Sequence, residues 1–252
     1  MLSSGPVRFV LRYSIFVAAC APVLAMETAW CLNLPAPSFN FVVFLYCATL
    51  LAYNLYYVRH SDYPLAPWLA GLGAAGAVVF GVWSWPLSIP VITLLCIAAA
   101  AYVAPALFRF RLPRTLLPLK PLLLAVVWTL ATFFLVPGID GLAPESLVLG
   151  AYRLVFVGNL CLLFFFRDEG KYFAPGTLTL LWRICLVMQL LLAVASGFAV
   201  GAYVGEAFVF GLLLTETAGQ LRKKKEASQE AYLLLVDGIM LVQPIFVALL
   251  RP

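Results

Sequence analysis

The sequence predicts an all-α polytopic membrane protein, a single bundle of nine transmembrane helices with its N-terminus in the cytoplasm. Three observations predict it. Of 252 residues, 64% are hydrophobic and only 11% charged, where a soluble domain carries roughly a quarter charged residues. Long stretches such as Leu87 to Phe108 contain no Asp, Glu, Lys, Arg or His, so they must face lipid or one another. The basic residues sit between the apolar runs, where they set orientation in a bilayer.

A helix needs about twenty apolar residues to cross roughly 30 Å of hydrocarbon. The first window, Tyr13 to Leu32, follows Arg8 and Arg12. It contains Val23-Leu24-Ala25, a pattern like a signal-peptidase site, but the apolar run continues through Trp30 to Leu34. That length exceeds a signal-peptide core, so an uncleaved span is expected. The second window, Phe39 to Val58, ends at Arg59 and His60, and the third runs from Leu65 to Trp83. The fourth, Leu87 to Phe108, stops at Arg109, the fifth covers Leu116 to Leu135, and the sixth, Leu147 to Phe166, stops at Arg167. The seventh and eighth, Leu178 to Val200 and Ala202 to Leu221, meet around Gly197 to Gly201. A link this short makes them a tight antiparallel pair, with one long helix as the competing reading. Ala231 to Leu250 is the ninth. The seventeen Gly and seventeen Pro read as helix punctuation and close packing, both tolerated where neighbouring helices satisfy freed backbone groups.

With the N-terminus inside, the inner segments hold Arg8, Arg12, Arg59, Arg109, Arg111, Arg114, Lys120, Arg167, Lys171, Arg183, Arg222 and Lys223 to Lys225, fourteen of sixteen basic residues, leaving Arg153 and Arg251. This alternation accounts for the net charge of +5 without a nucleic-acid partner, since the cations form no single face. The six cysteines, Cys20, Cys31, Cys47, Cys96, Cys161 and Cys185, lie in or beside apolar runs without C-x-x-C spacing, and His60 is the lone histidine. They read as packing residues rather than disulfides or zinc ligands. No internal repeat or long linker divides the chain, so residues 1–252 form one transmembrane domain. The run Arg222 to Lys225 reads as a solvated inner loop touching anionic headgroups.

Polar residues and rings mix in the inner links after the second and sixth windows, Asn54-Leu-Tyr-Tyr-Val-Arg59-His60-Ser-Asp62-Tyr63 and Phe165-Phe-Arg167-Asp168-Glu169-Gly-Lys171-Tyr172. With the Arg109 to Lys120 segment they make a basic, aromatic inner mouth over an apolar interior, the form of a site for an amphiphile with a polar or anionic head. Arg59, Arg109, Arg167 and Lys171 are the cations suited to that head, and each also reads as a topogenic charge.

The arrangement resembles the UbiA superfamily of intramembrane prenyltransferases, whose nine helices carry aspartate-rich motifs after helices two and six. The family's first motif reads N-D-x-x-D-x-x-x-D. Asn54 and Asp62 stand at its asparagine and last aspartate, while Leu55 and Val58 take its other acid positions. The second reads roughly D-x-x-D, and Phe165-Phe166-Arg167-Asp168 keeps only the last acid. Tyr102 to Trp128, with Lys120 in its basic Pro-rich turn, is similar to the family's passage from helix four to helix five. In the family the aspartates hold Mg²⁺ on the diphosphate of a polyprenyl donor. Magnesium takes hard oxygen ligands, which Leu, Val and Phe do not supply. The resemblance therefore implies an isoprenoid or other lipid in the inherited cavity without the standard magnesium-dependent prenyl transfer. The enzymatic alternative keeps a reduced Mg²⁺ site on Asp62, Asp168 and Glu169. A third reading, a small transporter or an accessory subunit with a membrane-protein partner, comes from the ionisable residues Glu27, Arg153, Glu206, Glu216 and Asp237 within the spans. Arg153 is expected to pair with Glu206 or Asp237. The expected location is a bacterial inner membrane.

Overall fold

The computed structural model describes residues 5–58, 62–84, 87–108, 119–136, 143–168, 175–223 and 229–251. Among them the chain forms helices α1 (Gly5–Arg12), α2 (Ile15–Cys31), α3 (Phe39–Tyr57), α4 (Ala66–Trp83), α5 (Ile89–Phe108), α6 (Leu119–Thr129), α7 (Pro144–Asp168), α8 (Pro175–Ala199), α9 (Ala202–Lys223) and α10 (Gln229–Leu250), and no strand. Each of the nine apolar windows coincides with one of α2 to α10. Four helical stretches are long and apolar enough by themselves to cross a membrane: Phe39–Tyr57, Ala66–Trp83, Ser146–Phe165 and Thr179–Ala199.

Local chemistry sets the helix ends. Ser14 adopts a left-handed conformation (φ 56°) that breaks α1 from α2, a conformation uncommon for any residue but glycine. At the far end of α2, Asn33 takes φ 52°. Its N–H donates to the Trp30 carbonyl, and the N–H of Leu34 donates to the Ala29 carbonyl at 2.8 Å, a closure that satisfies carbonyls the last turn would leave bare. Ser38 caps α3 by accepting from the Phe41 N–H. After α6 the helix widens into a π turn over Leu130–Phe134, with the Leu135 N–H reaching back to the Leu130 carbonyl at 3.0 Å. Between α8 and α9 the chain reverses at Gly201, whose φ of 154° suits glycine alone and where a β-carbon would lie 2.9 Å from the Tyr203 ring. The seventh and eighth windows are thus two helices, not one.

Successive helices pack against each other, except that α5 packs on α3 and α6 rather than on α4, and α10 closes the bundle on α2. The central helix is α7, whose Leu149, Tyr152, Phe156, Val157, Leu160 and Leu163 are buried. The periphery is apolar: Trp68 on α4 is 76% exposed and Phe198 on α8 is 89% exposed, while Glu27, Asn159, Gln189 and Gln243 are completely buried. Hydrophobic outside and polar inside is the distribution hydrocarbon selects, since a polar group facing lipid has no partner.

Candidate functional site

One end of the bundle contains a cavity of about 380 Å³ built from seven helices. It is lined by the C-terminal parts of α1, α3, α5 and α7 and the N-terminal parts of α2, α6 and α10. On α3, Tyr53, Tyr56 and Tyr57 follow the i, i+3, i+4 spacing that puts side chains on one face. Tyr57 stacks on Tyr63 with ring centroids 4.5 Å apart, and Tyr56 stacks on Tyr102 at 5.8 Å. The Tyr53 hydroxyl accepts from the Trp128 indole N–H at 3.1 Å. Leu11, Val17, Leu124 and Phe164 add apolar wall.

Two cations lie among these rings. Lys120 donates from Nζ to the Tyr56 hydroxyl at 3.2 Å and sits 5.5 Å from that ring's centroid. Arg12 donates to the backbone carbonyl of Asp62, and its guanidinium carbon is 5.1 Å from the centre of the Tyr63 ring. Both are cation–π distances. The third ionisable group is Asp237 on α10, only 4% exposed. Its backbone carbonyl faces the Cys20 thiol at 3.6 Å. Its carboxylate has no hydrogen bond or ion pair among the described residues.

Of the residues singled out in the sequence, Lys120 lies on the cavity and Asp62 beside it, exposed and held by its carbonyl. Asn54 is buried. Its amide nitrogen donates to the Tyr13 and Leu50 carbonyls at 3.1 and 2.9 Å, and its Oδ1 has no partner. Arg59, Arg109, Glu169 and Lys171 fall outside the described residues, as do the side chains of Arg167 and Asp168 in the last turn of α7. Phe165, at a motif acid position, is part of the cavity wall. No group of three or more His, Cys, Asp or Glu placed to hold a metal occurs among the described residues. Leu55, Val58 and Phe165, at three of the motif acid positions, offer magnesium no oxygen ligand. Sequence reasoning gave Arg12 a topogenic role only; the tyrosine spacing on α3 is the signal that points to the cavity it borders.

A separate polar layer lies nearer the other end. Arg153 donates from Nη2 to Glu27 at 2.7 Å, and Gln243 donates from Nε2 to the other Glu27 oxygen, also at 2.7 Å. The Tyr152 hydroxyl donates to Gln243 Oε1 at 2.9 Å, and Thr28 donates to the Thr132 carbonyl in the π turn at 2.8 Å. The partner of Arg153 is thus Glu27. Glu206 is exposed, and Asp237 lies on the cavity. The expected pairing fails because α10 closes on α2 and the acid that meets Arg153 comes from α2.

No family model, no curated protein and no solved structure matches the chain.

Proposed function

We propose that the chain is a UbiA-like integral membrane protein of nine spans, of bacterial inner-membrane type, with its N-terminus in the cytoplasm. Its cavity opens toward the cytoplasm and holds an isoprenoid or related lipid by an anionic head, without standard magnesium-dependent prenyl transfer. The observation that carries this reading is the cavity lining: Arg12 and Lys120 beside stacked tyrosines, continuous with apolar wall. The cations offer charge-assisted hydrogen bonds to phosphate oxygens, and the apolar surface takes hydrocarbon. The helix ends that meet there are the ones flanked by the basic inner segments, which supports a cytoplasmic mouth.

Binding to the purified protein in nanodiscs tests the reading with farnesyl phosphate and farnesol as probes. The phosphate is expected to bind more tightly, and Arg12→Gln and Lys120→Gln each to weaken it roughly tenfold while leaving farnesol unaffected. Equal binding of the two probes, or indifference to both substitutions, would remove the anionic-head site. Topology is tested separately. A reporter enzyme that folds only outside the cytoplasm is expected to be active when fused after Pro252 and inactive when fused after Lys225; the reverse pattern refutes the orientation.

The enzymatic alternative draws on Asp62, which Arg12 holds at the cavity by its backbone carbonyl. Incubation with a labelled polyprenyl diphosphate, an aromatic acceptor and Mg²⁺ separates the two readings. Product formation lost in Asp168→Ala would establish transfer by a reduced metal site in place of binding alone.

A further inference from the structure

We propose that Asp237 forms a cation subsite in this cavity, so that the ligand is an amphiphile bearing an amine as well as an anionic group. The inference rests on the lipid-cavity reading and extends it to the chemistry of the head.

Asp237 lies eight residues into α10, on the order of 12 Å along the helix axis, and its carbonyl meets Cys20, which is well inside α2. It shares the cavity with Tyr53 and Tyr102, the residue is only 4% exposed, and its carboxylate has no partner among the described residues. Other buried charge in this protein is handled differently. Glu27, on the same bundle, receives both an arginine and an amide. Burying a carboxylate with neither carries a large desolvation cost, and a ligand ammonium among aromatic rings offsets it through ion pairing and cation–π attraction. Arg12 and Lys120 come from α1 and α6, and Asp237 from α10, so the positive and negative groups reach the cavity from separate helices. A ligand carrying both signs of charge on one head complements that separation, and one with an anionic head alone leaves Asp237 unmatched.

Three probes on one tail isolate the amine: dodecyl phosphoethanolamine, its N-acetyl derivative, which keeps the phosphate and loses the positive charge, and dodecyl phosphate. Titration into the full-length protein in phosphatidylglycerol nanodiscs, which contain no amine, gives the affinities. The free amine is expected to bind roughly tenfold more tightly than the acetylated form. Asp237→Asn is expected to erase that preference without weakening dodecyl phosphate binding, while Asp237→Glu, which retains the carboxylate, keeps the preference and serves if the amide variant does not fold. Equal binding of the amine and its acetyl derivative, or a preference that survives in Asp237→Asn, overturns the cation subsite while leaving the anionic-head cavity standing. If none of the three probes binds, both readings fall together. Tail-free phosphoethanolamine binding as tightly as the dodecyl compound would overturn an amphiphile as the ligand.

Discussion

Glu27→Ala is expected to destabilise the bundle by roughly 3–5 kcal/mol, the cost of leaving a buried charge without its partner. Glu27 is completely buried and Arg153 is 3% exposed, so no water is at hand to replace the lost carboxylate. The guanidinium keeps its charge at any working pH. Its Nε and Nη1 already have no acceptor, and without Glu27 the remaining contact of Nη2 is the Thr28 hydroxyl at 3.5 Å. Gln243 Nε2 loses its acceptor in the same substitution. Removing both charges gives a different outcome. The double variant Glu27→Gln with Arg153→Met leaves no isolated ion and keeps an amide opposite Gln243, and its stability is expected within about 1–2 kcal/mol of the parent. Reversible unfolding of the single and double variants in mixed detergent micelles reads the coupling directly. A loss below about 1 kcal/mol for Glu27→Ala is the behaviour of a solvated surface pair and would show that water reaches this layer.

The same pair fixes the relation between the two polar regions. Glu27 on α2, Arg153 on α7 and Gln243 on α10 tie together three helices that also line the cavity through Val17, Cys161 and Asp237. With the charges of Glu27 and Arg153 paired, Asp237 is the remaining buried acid without a partner among the described residues.

Much of this architecture was legible in the sequence because hydrocarbon imposes a coarse rule. A run such as Leu87 to Phe108 can be little else than a buried or lipid-facing helix, and α5 spans Ile89–Phe108. Finer features followed no such rule. The short helix α1 carries Arg8 and Arg12 and falls below any spanning length, and the break behind it uses Ser14 in a conformation usually left to glycine. The π turn is written in Leu-Ala-Thr-Phe-Phe, which contains neither Pro nor Gly. At the site, Lys120 stood out as a charge beside a proline-rich turn and Asp237 as an acid inside an apolar span, both visible without neighbours. The Arg153 to Glu27 pairing was not visible, since it joins residues 126 apart and depends on α10 closing on α2. Helix existence is a local property of composition, whereas helix adjacency is a global one that an apolar pattern does not record.

That adjacency is written in small residues at one contact, and Gly73→Val is expected to destabilise the protein by roughly 1–3 kcal/mol through overpacking. Where α4 crosses α3, a β-carbon on Gly73 would lie 2.7 Å from the Leu51 backbone nitrogen and 2.8 Å from the Cys47 carbonyl oxygen. Both are backbone atoms of α3, so no side-chain rotation relieves the clash and the helices must part. Ala66 and Ala70 bury the same face of α4, the small-residue packing that lets membrane helices approach closely where no hydrophobic force drives them together. Gly71, two residues away and exposed, has open space where a β-carbon would stand, with nothing within 4 Å. Gly71→Ala is therefore expected to be neutral or to stabilise by up to about 1 kcal/mol through helix propensity. Unfolding of the two variants side by side separates contact from propensity; equal effects would place the α3–α4 contact elsewhere. Tyr53, Tyr56 and Tyr57 are on the helix that must move, so Gly73→Val is also expected to weaken farnesyl phosphate binding, although Gly73 does not line the cavity, and Gly71→Ala is expected to leave it unchanged.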